Sequence, residues 1–145
     1  MATFAVNKPA TFDYEFVEKF TAGIVLTGHE TKSAKLGRFD LTGSHAIIRG
    51  NEAYLMGGKI HAFQPKNAPE QYDETRTRKL ILTKKEIQYL IGKLKSGLTL
   101  IPLKAYTNRG FVKIELGLGK GRKTHDKRDL IKKRETEREL RKIEK

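Results

Sequence analysis

Between Phe12 and Leu26 the even positions are Phe12, Tyr14, Phe16, Glu18, Phe20, Ala22, Ile24 and Leu26, and the odd ones are mostly Thr, Asp, Glu, Lys and Gly. Period-two alternation broken only by Glu18 predicts one long strand with a single buried face, ended by Gly28. His29 to Leu36 fits a short helix that Gly37 stops. Two more strand-like runs, Phe39 to Arg49 and Glu52 to His61, flank Gly50-Asn51, a pair suited to a hairpin turn. Residues 64–75 are polar, contain two prolines and read as a loop. Thr83 and Glu86 have the spacing of a capping box, and Ile87, Leu90, Ile91 and Leu94 then share one helical face, closed by Gly97. Leu98–Tyr106 and Gly110–Leu118 form a last hairpin through Thr107-Asn108-Arg109. The pattern predicts a mainly β protein, a small antiparallel OB-like barrel with one main and one short α-helix.

Charge bears on the partner rather than on the fold. The 145 residues include 30 Lys and Arg against 17 Asp and Glu, a net charge of +13 with a pI near 10.0. Such a balance favours nucleic acid or an acidic membrane surface over a small acidic substrate. No run of apolar residues is long enough to span a bilayer, no signal-like start is present, and there is no Cys. A soluble, cytoplasmic protein is expected. The last 27 residues carry nearly half the excess charge, contain no aromatic residue, and offer only Leu130, Ile131, Leu140 and Ile143 as large apolar side chains. A boundary near Gly117–Gly121 therefore divides a barrel, 1–118, from a basic tail, 119–145. The tail cannot build a core. Its breaker-free stretch from Asp129 predicts a segment that is mostly disordered alone and helical on an anionic surface.

Catalytic patterns are missing. The run Gly117-Leu118-Gly119-Lys120-Gly121-Arg122-Lys123-Thr124 has Arg122 where a phosphate loop needs Gly, so it reads as a flexible basic linker. The four histidines have no metal-ligand spacing, and no Ser stands in a nucleophile elbow. No enzyme, metal or cofactor is expected. What remains are three basic clusters: Asn7-Lys8 with Tyr14 nearby, Arg76-Thr77-Arg78-Lys79, and Lys120 to Arg128. Lys and Arg neutralise phosphates, and neighbouring aromatic rings can stack on unpaired bases. A specific RNA adaptor and a general single-strand RNA chaperone both fit these clusters. The breaker-free tail with Leu140 and Ile143 favours the adaptor.

The order Asn7-Lys8, Ala22-Gly23, Gly28-His29-Glu30-Thr31-Lys32-Ser33, Arg76 to Leu82, Gly119 to Lys123 and Asp126-Lys127-Arg128 resembles the bacterial SsrA-binding protein family, small protein B, from about residue 7 to the C-terminus. The resemblance implies an OB-like barrel that binds the tRNA-like domain of tmRNA. It implies a role in trans-translation, bringing alanyl-charged tmRNA with elongation factor Tu to stalled ribosomes. A monomer without catalytic activity is expected. Carried over, Asn7, Lys8, Glu30, Lys32, Arg76, Arg78, Ile81 and Lys113 lie on or support the tmRNA face, joined by Tyr14 and Lys79 from the basic clusters. Lys120, Arg122, Lys123, His125, Asp126, Lys127, Arg128, Leu140 and Ile143 serve the small ribosomal subunit, where the tail enters the decoding centre and the empty mRNA channel. Departures from the family pattern are Thr21, where Glu is frequent, Thr31 in place of Val, and the absence of an aromatic residue near Thr136.

Overall fold

The structure is a computed structural model that describes residues 2–63, 72–122 and 124–143, with only the helical backbone described for 124–126 and 139–143. In chain order the elements are β1 (Ala2–Val6), α1 (Lys8–Asp13), β2 (Tyr14–Ile24), α2 (Gly28–Lys35), β3 (Phe39–Asp40), β4 (His45–Arg49), β5 (Glu52–Met56), β6 (Lys59–Ile60), β7 (Arg78–Ile81), α3 (Lys84–Lys95), β8 (Thr99–Asn108), β9 (Phe111–Gly121) and α4 (Thr124–Ile143). Seven strands pair in the order β1-β8-β4-β5-β7-β2-β9, and β8 also pairs with β9. The sheet thus curls back on itself, but β4 and β8 share a single register pair, Ala46 with Leu100. The result is barrel-like with an open seam rather than a closed barrel.

The alternation along β2 does what period two requires. Ala22 and Ile24 are buried, Tyr14, Phe16 and Phe20 half-buried, and Glu15, Val17, Lys19 and Thr21 exposed. The polar exception, Glu18, faces α3, where the Tyr89 hydroxyl donates to its carboxylate at 2.6 Å. The buried rows of β2, β5, β7, β8 and β9 meet in one core around Ala22, Leu55, Leu80, Leu100, Ile114 and Leu116, and α3 adds Leu90. Both central hairpins are tight. Gly50 and Asn51 have φ of 60° and 63°, and Arg109 and Gly110 have 53° and 81°, the left-handed pair that suits two-residue turns between right-twisted strands.

Several expectations are corrected. Phe12 belongs to α1, which Pro9 starts, so β2 begins at Tyr14. The runs Phe39–Arg49 and Glu52–His61 each break in two, at Gly43 and Gly57, whose φ of 77° and 80° no strand accommodates. The last turn falls at Arg109-Gly110, not Thr107–Arg109. Strands β1 and β7 were unpredicted. Most of the loop at 64–75 lies outside the described residues. The glycine-rich run is not a flexible linker: through Gly121 it is the end of β9, paired with β2. Gly117 stands against the Phe16 ring, and a Cβ at Gly119 would sit 2.1 Å from the Glu15 carbonyl oxygen. These glycines let two backbones approach closely. The tail residues Thr124–Ile143 form the helix α4, the form expected of them when bound.

Gly119→Ala therefore forces the β2–β9 pair apart. It should destabilise the fold by about 3 kcal/mol or more, while Gly121→Ala, with nothing within 4 Å of the new Cβ, should change stability little. Urea unfolding of the two variants checks this.

Candidate nucleic-acid interface

The site is organised from one buried carboxylate. Thr27 caps α2: its hydroxyl accepts the Glu30 N–H at 3.2 Å, and the Glu30 carboxylate accepts the Thr27 N–H at 3.0 Å. That reciprocal cap points the Glu30 side chain inward, where it is wholly buried. Arg76 binds it through two nitrogens, with Nε at 3.0 Å, and Arg78 Nε donates at 2.9 Å. Arg78 is also wholly buried, and its remaining donors reach the carbonyls of Gly58 (2.7 Å) and Glu74 (3.0 Å). Tyr72 closes the cluster, donating to the Ile60 carbonyl at 2.8 Å. Burial alone pushes the Glu30 pKa up. Hydrogen bonds from Arg76, the Thr27 N–H and Arg78 overcome that and bring it from 4.5 down to about 2. The same hydrogen bond raises the pKa of Arg76.

This cluster locks α2 beside β7, and a concavity of about 230 Å³ opens next to it, lined by Gly23, Thr31, Ile81, Phe111 and Lys113 among others. Its floor is bare backbone. A Cβ at Gly23 would lie 3.3 Å from Ile81 Cβ and 3.7 Å from Lys113 Nζ. Ile81 is 58% exposed and Phe111 70%, so apolar and cationic groups stand side by side in solvent. On the neighbouring surface Glu115 holds both Lys19 (3.4 Å) and Lys104 (3.2 Å). Among the described residues no acid pairs with Lys113, which leaves its charge available to an anion. Phe111 and Gly23 were missed from sequence. Phe111 follows the turn and shares a strand face with Lys113 by i, i+2 spacing, a signal that could have found it.

The sequence-named residues do not all converge. Lys32 is exposed on α2, next to the concavity-lining Thr31, its amine 5.9 Å from the centre of the Phe63 ring. Lys79 points outward and pairs with Glu52 at 3.0 Å. Arg78 and Glu30 are framework, with no exposed surface for RNA. Asn7 is buried too, its amide donating to the carbonyls of Leu41 (3.2 Å) and Pro102 (2.9 Å). Lys8 is exposed beside it, and Tyr14 stacks on Phe16 with centroids 5.9 Å apart. These last three mark the opposite end of β2 from Gly23. Across the 11 residues of that strand the separation is roughly 30 Å. Lys120 and Arg128 are exposed, whereas Arg122 and Lys127 fold back onto residues 12–14. The side chains of Lys123, His125, Asp126, Leu140 and Ile143 lie outside the described residues. Among the described residues no group of three or more His, Cys, Asp or Glu side chains is placed to hold a metal, and no helix is long and apolar enough to cross a membrane.

A strand-rich, barrel-like body with a strongly basic sequence and an exposed apolar and cationic notch has the form of a small oligonucleotide-binding module. The model of the SmpB protein family matches residues 4–145. An SsrA-binding protein of Streptococcus uberis is 48% identical over 140 residues, covering 96% of this chain and 90% of that protein. One from Trichormus variabilis is 46% identical over 138 residues, covering 92% and 87%. A chain in a solved structure described as "tmRNA-SmpB: a journey to the center of the bacterial ribosome" superposes with a TM-score of 0.71 at 39% identity, covering 90% of this chain and 95% of that one. The chain belongs to the SmpB family.

The lowered Glu30 pKa has a consequence for stability. A carboxyl whose pKa falls on folding contributes stability that is fully present above its unfolded value and is lost as pH drops toward its folded value. Between about pH 4.5 and about 2 this group should account for on the order of 3 kcal/mol of acid destabilisation. Glu30→Gln should remove that one-proton component, and it should weaken the fold near neutral pH by about 3–5 kcal/mol because two guanidiniums lose their counter-charge. Urea unfolding as a function of pH measures both.

Proposed function

We propose that this protein is a non-catalytic adaptor of trans-translation: the body binds the tRNA-like domain of tmRNA and carries alanyl-charged tmRNA, with elongation factor Tu, to ribosomes stalled without a stop codon. The observation that carries this reading is the similarity, over nearly the whole chain, to proteins named for SsrA binding. The geometry supplies a physical route. Lys113 neutralises a phosphate, while Ile81 and Phe111 offer an apolar surface to an unpaired base or a ribose, with Gly23 leaving room for it. Lys32 and the exposed part of Arg76 extend the cationic rim. Glu30 and Arg78 support this surface from beneath and Lys79 lies at its margin, while Asn7, Lys8 and Tyr14 offer the tmRNA a second contact patch at the far end of β2.

Residues 1–118 form the RNA-binding body and 119–145 the ribosomal arm in this reading. The arm enters the decoding centre and the empty mRNA channel of the small subunit. Lys120, Arg122, Lys123, Lys127 and Arg128 meet ribosomal RNA phosphates, His125 and Asp126 lie in the same motif, and Leu140 and Ile143 supply the arm's apolar contacts. The protein acts as a cytoplasmic monomer and needs no cofactor.

Labelled tRNA-like domain of tmRNA, bound at physiological salt, should survive competition by excess bulk tRNA and poly(U). Equal competition by all three would reduce the binding to net charge. Lys113→Ala should weaken binding and lower the slope of log affinity against log salt by about one, without loss of thermal stability. Removing the residues after Arg128 should leave tmRNA affinity within about twofold and abolish tagging on stalled ribosomes.

A further inference from the structure

The chain leaving β6 is fastened to α2 and to the turn that follows it, at both His61 and Phe63. The His61 N–H donates to the Arg38 carbonyl at 3.1 Å, and the His61 carbonyl accepts the Ser33 hydroxyl at 2.5 Å. The Phe63 carbonyl accepts Arg38 Nη1 at 2.9 Å, and the Phe63 N–H donates to His29 Nε2 at 2.8 Å. The last of these differs in kind. A backbone N–H can only donate, so Nε2 is the lone-pair nitrogen and the ring proton sits on Nδ1. Nδ1 is buried and, among the described residues, has no hydrogen-bond partner. The Tyr72 ring meets the imidazole edge-on, with centroids 4.9 Å apart at 84°. Tyr72 is itself tied to the Ile60 carbonyl, so the imidazole packs on a fixed neighbour.

Protonation turns Nε2 from an acceptor into a donor, and two N–H groups then oppose each other in the same contact. The charged groups around the ring do not favour the imidazolium. Lys32, on the same helix, and Arg38 are cations. Glu30 faces inward and is engaged by Arg76 and Arg78. Asp73 accepts from Thr75, and Glu74 pairs with Lys59 and His61. We propose that His29 is a positioning residue and a proton-sensitive latch: neutral, it holds the Phe63 backbone on α2, with the Phe63 ring 5.9 Å from the Lys32 amine; protonated, it lets Phe63 go. The bonds from Ser33 and Arg38 do not titrate with histidine, so release is confined to Phe63 and the body stays folded. Lys32 stands on the cationic rim described above, so the latch sets where an aromatic ring is offered beside that rim. That consequence rests on the adaptor reading. The latch does not.

The chain carries four histidines, few enough to follow each imidazole by nuclear magnetic resonance in the isotope-labelled full-length protein. At about pH 8 a coupling through the hydrogen bond should link the Phe63 amide nitrogen to His29 Nε2, and by about pH 5 it should vanish in step with protonation of the His29 ring. Over the same range the protection of the Phe63 amide against hydrogen exchange, corrected for the intrinsic rate, should fall about tenfold. His29→Gln offers an oxygen acceptor at similar reach that does not titrate, so protection should persist and lose its pH step. His29→Leu should leave the amide unprotected at every pH. His61→Gln, which removes the neighbouring imidazole, should keep the step. Amides of the β2–β9 pair should hold their protection throughout, which separates release of the latch from acid unfolding. Absence of the coupling at the upper pH, Phe63 protection that ignores protonation of His29, a step that survives in His29→Gln, or one lost in His61→Gln would each overturn the proposal. RNA enters none of these measurements, so they stand apart from the competition test of the adaptor reading.

Discussion

A carboxylate with no exposed surface, gripped by two guanidiniums, is the constraint on which this molecule turns. Burying a charge is costly unless its partners are close and its remaining lone pairs are used. Glu30 meets that condition with Arg76, Arg78 and the Thr27 N–H. The geometry leaves little freedom. Glu30 is aimed inward by the cap of α2, Arg78 by the pleat of β7, and the Gly58 and Glu74 carbonyls take the donors that the carboxylate does not. Moving α2 relative to β7 would strand charge away from water, so the helix, the strand and the segment before it are held in a single arrangement. Thr31 and Ile81 thereby reach the same concavity from opposite sides.

How legible this was in the sequence depends on whether polarity and burial agree. Where they do, as in β2, the capped helix α3 and the two-residue turn at Gly50-Asn51, the pattern of residues predicts the element and its inner face. In β7 they disagree. Arg78 points in and Ile81 points out, so a four-residue strand reads as a basic cluster followed by an apolar run. The alternation is intact, but its chemistry is inverted at both ends, the inner by an ion-pair network and the outer by a candidate ligand surface. Short elements suffer a second loss. β1 and α1 offer too few residues to establish a period, and only Pro9 marks the helix start. The glycine-rich end of β9 misleads for a different reason. Glycine serves flexible segments and close backbone contacts alike, and only the partner strand shows which applies.

The candidate site was legible as a list of residues but not as a place. Sequence order groups Arg76, Arg78 and Lys79, yet the first two side chains turn to the buried Glu30 carboxylate and the third to Glu52 on the next strand. Conversely, Gly23, Ile81, Phe111 and Lys113 are scattered along the chain and meet at one concavity because β2 pairs with both β7 and β9. Asn7, Lys8 and Tyr14 stand at the other end of the same strand, where the arm begins. The long β2 strand thus connects two surfaces, one built around an open notch and one around the root of a basic helix.

Charge counting overstates what an anion meets on such a body. A lysine beside a carboxylate attracts phosphate less than its formal charge suggests, because the pair presents a dipole and must be opened first. Glu115 does this to Lys19 and Lys104, Glu52 to Lys79, and Asp13 to Lys127. Lys113 escapes because its partners across the two neighbouring strands are Gly23 and Tyr106, neither of them an acid. Selectivity on this face therefore comes from where carboxylates are withheld as much as from where lysines are placed. A ligand that combines one phosphate with an unpaired apolar ring face matches that arrangement better than a uniform polyanion does, since only the former uses Lys113 and the surface of Ile81 and Phe111 together.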